Sequence, residues 1–315
     1  MFNAEKFIDK AIVKLKEEVV GKALIAFSGG VDSTVCAALV NKAISKQLVA
    51  AHVDTGYMRK DESKNVKKMM EKMGLNNRFI DASKEYYDEL KGVEDPEKKR
   101  KIIGEKFIRL FEKVADEKKI ECLVQGTIAP DWIESGGELR DTIKSHHNVG
   151  GLPKNMKLKL VEPLRDLYKD EVRKVARSLN LQVAERQPFP GPGLAIRIIG
   201  EATPERTEIV REACYIVEKE IEEAVEKGLM EMPWQYFAVL LPIKSVGVQG
   251  DKRAYGYVIA VRAVHSIDAM TCAYSKIPHE VIDKISTQIT NTMKDKVNRI
   301  VYDVTNKPPS TVEWE

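Results

Sequence analysis

The chain has 315 residues, 43% of them hydrophobic, and no apolar run that approaches a membrane span, so it reads as a water-soluble globular protein with more than one core. Its 51 Lys and Arg against 48 Asp and Glu leave a formal charge of only +3, which argues against a broad nucleic-acid surface but allows a local basic pocket. Cys36, Cys122, Cys214 and Cys272 stand singly with no C-x-x-C pair, the pattern of free thiols in a reducing cytoplasm, and Glu5 and Asp9 rule out a secretory signal.

Phe7, Ile8, Ala11, Ile12, Leu15 and Val19 recur at helical spacing and predict an amphipathic first helix. Ala23-Leu24-Ile25-Ala26-Phe27 is short and wholly apolar, as a fully buried strand requires. Ser28-Gly29-Gly30-Val31-Asp32-Ser33-Thr34 follows, and Val31, Val35 and Leu39, with Cys36, Val40 and Ile44 beside them, mark one face of a second helix. A strand, a tight glycine turn and a helix direct backbone N–H groups and the positive end of a helix dipole at one spot. Such a spot favours a polyphosphate, with Ser28, Ser33 and Thr34 adding hydroxyls. The loop is neither G-x-x-x-x-G-K-[ST] nor G-x-G-x-x-G, so it is not a Walker A or a dinucleotide loop.

Leu48 to Val53 predicts a second buried strand running into Asp54-Thr55-Gly56, followed by a helix near 61–73 and a third strand from Asn77 to Ala82. Ile102, Ile103, Phe107, Leu110, Phe111 and Val114 predict a helix over 98–118. Glu121 to Gly126 reads as a fourth strand and Leu160 to Leu164 as a fifth. Strands alternating with helices predict a doubly wound parallel α/β sheet over residues 1–186, with its ligand edge at the strand ends near the glycine loop and Gln125-Gly126-Thr127. His52 at a strand end reads as a packed residue. Residues 134–159 carry glycines 136, 137, 150 and 151 and the cations Arg140, Lys144, His146, His147, Lys154, Lys157 and Lys159, which suit a basic lid over phosphates. No Cys or further His accompanies His146-His147, so the pair does not read as a zinc site.

Gln187-Pro188-Phe189-Pro190-Gly191-Pro192-Gly193 has the stiffness of a domain junction. Beyond it, residues 187–315 predict a smaller α+β domain: a helix over 204–227, strands at 234–241, 245–249 and 255–264 with a Gly250-Asp251 turn, a helix near 278–292 and a strand at 298–304. Its apolar strand faces call for cover by a second copy, hence a homodimer.

Ser28 to Ser33 resembles the signature of the PP-loop ATP-pyrophosphatase superfamily, whose members hold a leaving pyrophosphate while a substrate oxygen attacks the α-phosphorus. Asp95 to Gly104, Ile143 to Pro153, Pro188 to Leu194, Ser245 to Asp251 and Lys307 to Glu315 are similar to stretches characteristic of the GMP synthetase family, so the resemblance covers nearly the whole chain. Single-chain members carry a glutamine amidotransferase domain in front. Here the first strand begins near residue 22, so the chain looks like the ATP-pyrophosphatase (synthetase) subunit of the two-subunit, archaeal kind.

The resemblance implies adenylation of XMP at O2 with release of pyrophosphate, then displacement of AMP by ammonia from a separate glutaminase subunit. It implies that Ser28, Gly29, Gly30, Val31, Asp32, Ser33 and Thr34, with His146 and His147, bind ATP, and that Asp32, Ser33 and Lys144 act in catalysis. Asp32 is the expected orienter of Mg²⁺, directly or through water. XMP falls to Arg59, Gln249, Lys307 and Glu313, with Arg197 as a further candidate. The expected setting is the cytoplasm, with neither nucleic acid nor membrane as partner. The alternatives are NAD synthetase, a tRNA-modifying adenylating enzyme, which would need reactive cysteines, and a non-catalytic nucleotide-binding subunit.

Overall fold

A computed structural model of the chain describes residues 2–130, 158–181, 187–249, 251–266 and 270–315. They form two compact units, each described by itself: Met1–Asp54, Asp61–Ala82 and Gly104–Arg186 in the first, Thr55–Lys60, Ser83–Ile103 and Gln187–Glu315 in the second. Among the described residues no helix is long and apolar enough to cross a membrane.

The first unit opens with α1 (Ala4–Glu18), whose N-terminus is capped by the Asn3 side chain accepting from the Lys6 N–H at 2.9 Å. Its Ile8, Ala11 and Leu15 are buried, as the periodicity predicts. A five-stranded parallel sheet follows, built from β1 (Ala23–Ala26), β2 (Leu48–Asp54), β3 (Asn76–Asp81), β4 (Cys122–Val124) and β5 (Lys159–Val161) in the order β3-β2-β1-β4-β5. β1 is central, which is why Ala23, Leu24 and Ile25 are almost completely buried and none is polar. The chain leaves β1 toward β2 on one side and β4 lies on the other, so the end of β1 is the topological switch point, where such sheets bind ligands. α2 (Val31–Ile44) starts there and has Thr34 to Val40 all buried, which explains why its apolar residues wrap around it. α3 (Glu62–Lys72) follows β2.

Before β4 the chain runs through α4 (Ser83–Glu89) and α5 (Pro96–Lys118), of which residues 96–103 belong to the second unit. The first unit ends with α6 (Lys169–Ser178), a helix absent from the elements expected above. Its signals are present in the sequence: Asp170 and Glu171 in the first turn, Val172, Val175 and Ala176 buried at helical spacing, and the Glu171 side chain accepting from the Tyr168 N–H at 3.0 Å.

In the second unit a 3₁₀ turn (Gly193–Arg197) leads to α7 (Pro204–Glu226), with Thr203 capping the Arg206 N–H at 3.3 Å and proline in the first turn. β6 (Gln235–Gln249) and β7 (Lys252–His265) form an antiparallel hairpin, β8 (Ala273–Tyr274) adds to β7 at one end, and β9 (Val297–Tyr302), after α8 (His279–Thr292), pairs parallel with β7. The two strands expected at 234–241 and 245–249 are one strand. Pro242 supplies no N–H, and the pairing register shifts there, between Leu240 and Lys244, before it resumes. Residues 55–60 join this unit through bonds such as Tyr57 Oη to the Ala202 carbonyl at 2.9 Å.

Candidate active site

The glycine loop occupies the end of β1 and hands directly into α2. Its hydroxyls orient it in a closed ring. The Gly30 N–H donates to Ser28 Oγ (3.3 Å), Ser28 Oγ and Ser33 Oγ lie 2.9 Å apart, and Ser33 Oγ donates to the Gly30 carbonyl (3.1 Å). Thr34 Oγ1 donates to the same carbonyl at 2.8 Å. No side chain caps the N-terminus of α2, so the first-turn N–H groups face outward with the dipole behind them. Gly29 sits at φ +78°, and a Cβ there would lie 2.8 Å from Val66 Cγ2, so the turn admits no side chain. Across the sheet edge Gly126 lies so close that a Cβ would be 3.3 Å from that of Asp32. This brings the 125–127 segment against the loop, as its place after β4 predicts.

Asp32 does not stand alone. Lys169, the first residue of α6, donates from Nζ to both carboxylate oxygens at 2.9 and 2.6 Å. The lysine and aspartate side chains are 44% and 30% exposed, so the pair contributes at most about 1 kcal/mol to stability and is a poor candidate for a purely structural bond. It sets a cation beside the anion-attracting loop.

Neighbouring groups are chemically quiet. His52 is buried, with Nδ1 donating to the Phe27 carbonyl (2.9 Å) and Nε2 facing Ser63 Oγ (3.1 Å); burial lowers its pKa, so it is a packed neutral imidazole, as expected. All four cysteines are free and buried. Burial, then Asp32 and Glu162, pushes the Cys36 thiol well above its ordinary value, and burial likewise raises Cys214. No reactive thiol of the kind a sulfur-transfer enzyme needs is built here.

In the second unit Arg59 lies over the Phe189 ring at 4.3 Å and donates to the Gln187 and Pro188 carbonyls at 3.1 and 3.4 Å. Arg197 is fully buried and donates to Glu313 through Nε at 3.0 Å and Nη2 at 2.8 Å, while Gln235 Nε2 donates to Glu313 Oε1 at 2.8 Å. Two residues expected to meet the same ligand therefore meet each other. The Lys307 backbone is fixed by a reciprocal pair with Cys272, at 2.8 and 3.1 Å, although residues near a chain end often fray. Gln249 is the last residue of β6 and pairs with Lys252. Lys144, His146 and His147, and the lid they would belong to, lie outside the described residues.

Two known families match the chain: "PP-loop domain" over residues 3–186 and "GMP synthase C terminal domain" over residues 222–314. The chain is 55% identical to a separately encoded subunit of glutamine-hydrolyzing GMP synthase from Methanopyrus kandleri, covering 100% of both. It is 53% identical to the subunit of the same name from Thermoplasma acidophilum, covering 99% of this chain and 100% of that one. The chain belongs to the GMP synthase family. A further relative, "GMP synthase [glutamine-hydrolyzing]" of Thermotoga petrophila, is 53% identical over 98% of this chain and 62% of its own length.

For a GMP synthase family member, the described site also contains cations and a carboxamide that sequence reading missed. Lys169 lies 137 residues from Asp32, and only its position at a helix start hinted at an anion-facing role. Gln235, at the start of β6, read as part of a strand. Arg262 is fully buried and donates to the Thr305, Thr311 and Val312 carbonyls, Ser310 Oγ and Asp303, so it gathers the 303–312 segment around itself. No sequence signal separates it from the exposed arginines.

Proposed function

We propose that the chain is the synthetase subunit of a glutamine-hydrolysing GMP synthase. XMP O2 attacks the α-phosphorus of ATP, the bond to the bridging oxygen breaks, and pyrophosphate leaves. Ammonia then attacks C2 of the adenylated XMP, and AMP departs with the original O2. The observation that carries this reading is the loop at the end of β1: outward N–H groups, ringed hydroxyls and the Lys169–Asp32 pair, all around one anion-attracting helix start. Nucleotidyl transfer needs positioning and charge neutralisation more than an acid–base pair, and these groups supply both.

Ser28, Ser33 and the N–H groups of residues 30–33 would hold the leaving pyrophosphate. Lys169 would swing its charge from Asp32 to the phosphates. The donor set suits Mg²⁺, a hard cation that takes one or two carboxylates and otherwise phosphate and water oxygens; Asp32 offers one carboxylate, and among the described residues no cluster of three ligating groups exists to hold a metal unaided. Bound with ATP, Mg²⁺ would neutralise the β- and γ-phosphate charge. Lys144, His146 and His147 are assigned to the same phosphates from their place in the lid.

Arg59, Gln249, Lys307 and Glu313 would form the XMP site, Lys307 toward the 5′-phosphate and Glu313 toward base or ribose donors. Arg197 would serve that site through Glu313. Ile243, Val246, Val248 and Tyr255, all at least 45% exposed on the β6–β7 hairpin, support a homodimer through this unit. The ammonia would come from a partner glutamine amidotransferase, in the cytoplasm.

With XMP, Mg-ATP and ammonium salt, the purified chain should yield GMP, AMP and pyrophosphate in equal amounts, and with glutamine in place of ammonium it should yield no GMP. Turnover with glutamine alone, or ATP consumption independent of XMP, would refute the assignment.

A further inference from the structure

The Asp95 to Gly104 stretch marks the family resemblance, yet nothing in the reaction so far uses it. Within it Lys99, in the first turn of α5, is completely buried, an unusual place for an ammonium. All three of its N–H groups are taken, by the Ala195 carbonyl (3.2 Å), the Ile198 carbonyl (2.7 Å) and Glu315 Oε2. The other carboxylate oxygen of Glu315 accepts from the Gly200 N–H at 3.2 Å, and the Glu315 main-chain oxygen accepts from Arg100 Nη2. Ala195 and Ile198 flank Arg197 in and beside the same 3₁₀ turn, and Arg197 grips Glu313. Glu313 and Glu315 are two residues apart and both reach this turn, whereas Trp314 between them donates from Nε1 to Asp303 at 3.0 Å. The turn is therefore the floor on which the 313–315 segment lies, and Lys99 joins floor and segment from beneath.

We infer that Lys99, seconded by Arg100, is a positioning residue for XMP: it acts through Glu315 and the Arg197 turn to hold Glu313 where the nucleotide needs it. This rests on the proposed assignment of Lys307 and Glu313 to XMP. A group that only stabilised the fold would, when removed, lower the amount of active protein and hence apparent kcat, without moving KM. A positioning group moves KM for one substrate.

Lys99→Met should raise the KM for XMP about tenfold, the scale of a lost charge-assisted contact, and leave the KM for ATP within about twofold. Glu315→Gln, which keeps an acceptor for Lys99, should move it in the same direction by a smaller factor. The double variant Lys99→Met/Glu315→Leu, which leaves no unpaired buried charge, should recover part of the loss. Hydrogen exchange of the parent and Glu315→Gln proteins supplies a readout should Lys99→Met not fold: faster exchange over 311–315 and none over 252–265 is the expected pattern. If Lys307→Ala raises the KM for XMP while Lys99→Met folds and leaves it unchanged, the inference is overturned. Unaltered exchange over 311–315 in Glu315→Gln overturns it as well. If Lys307→Ala and Lys99→Met both leave it unchanged, the XMP assignment itself has failed.

Discussion

Asp32→Asn should cut the rate of XMP-dependent pyrophosphate release by about ten- to a hundredfold, the 1.5–3 kcal/mol of a lost charge-assisted contact. Asparagine keeps the shape and one acceptor for Lys169, so the loop ring of Ser28, Gly30 and Ser33 should persist. What disappears is the carboxylate that balances Lys169 and offers an oxygen to Mg²⁺. The KM for XMP should stay within about twofold, because nothing assigned to XMP touches the loop. The melting temperature should be nearly that of the parent, since a half-exposed pair stabilises little. Rapid-quench measurement of pyrophosphate separates these outcomes. A variant that releases pyrophosphate at the parental rate would remove Asp32 from the mechanism.

The second large effect lies in stability. Arg262→Met should cost about 3–5 kcal/mol, the range for removing one partner of a buried charge pair. Methionine replaces the apolar stem but strands the Asp303 carboxylate and the Thr305, Thr311 and Val312 carbonyls that the guanidinium satisfies. Denaturant unfolding followed by tryptophan fluorescence would report the loss, with Trp314 bound to Asp303 as a local probe. A cost below about 1 kcal/mol would mean that water reaches those groups and that the segment is not organised by Arg262.

How much of this is legible in the sequence follows from where the contacts lie in the chain. The loop is, because Ser28 to Thr34 are contiguous and lie between a bare apolar strand and a periodic helix. The sheet is too: five short apolar runs at βα intervals admit few other arrangements, and β1 at the centre is the barest of them. Partners closed by the fold are not. Lys99 and Glu315 are 216 residues apart, and Arg197 and Glu313 are 116 apart, so each looks in sequence like one more solvated charge. Arg197 shows the limit well. Its type and neighbourhood suggest a nucleotide contact, and the structure pairs it with the glutamate assigned to that same nucleotide. Pro242 shows another, since a proline that looks like the end of one strand lies at a register shift inside a longer one.

The central claim is that XMP O2 attacks the α-phosphorus and leaves with AMP. It is tested most directly by XMP carrying ¹⁸O at O2, turned over with Mg-ATP and ammonium, followed by mass analysis of all products. The account predicts one ¹⁸O in the phosphate of AMP, none in pyrophosphate and none in GMP. Label in pyrophosphate, or unlabelled AMP formed together with GMP, would contradict it.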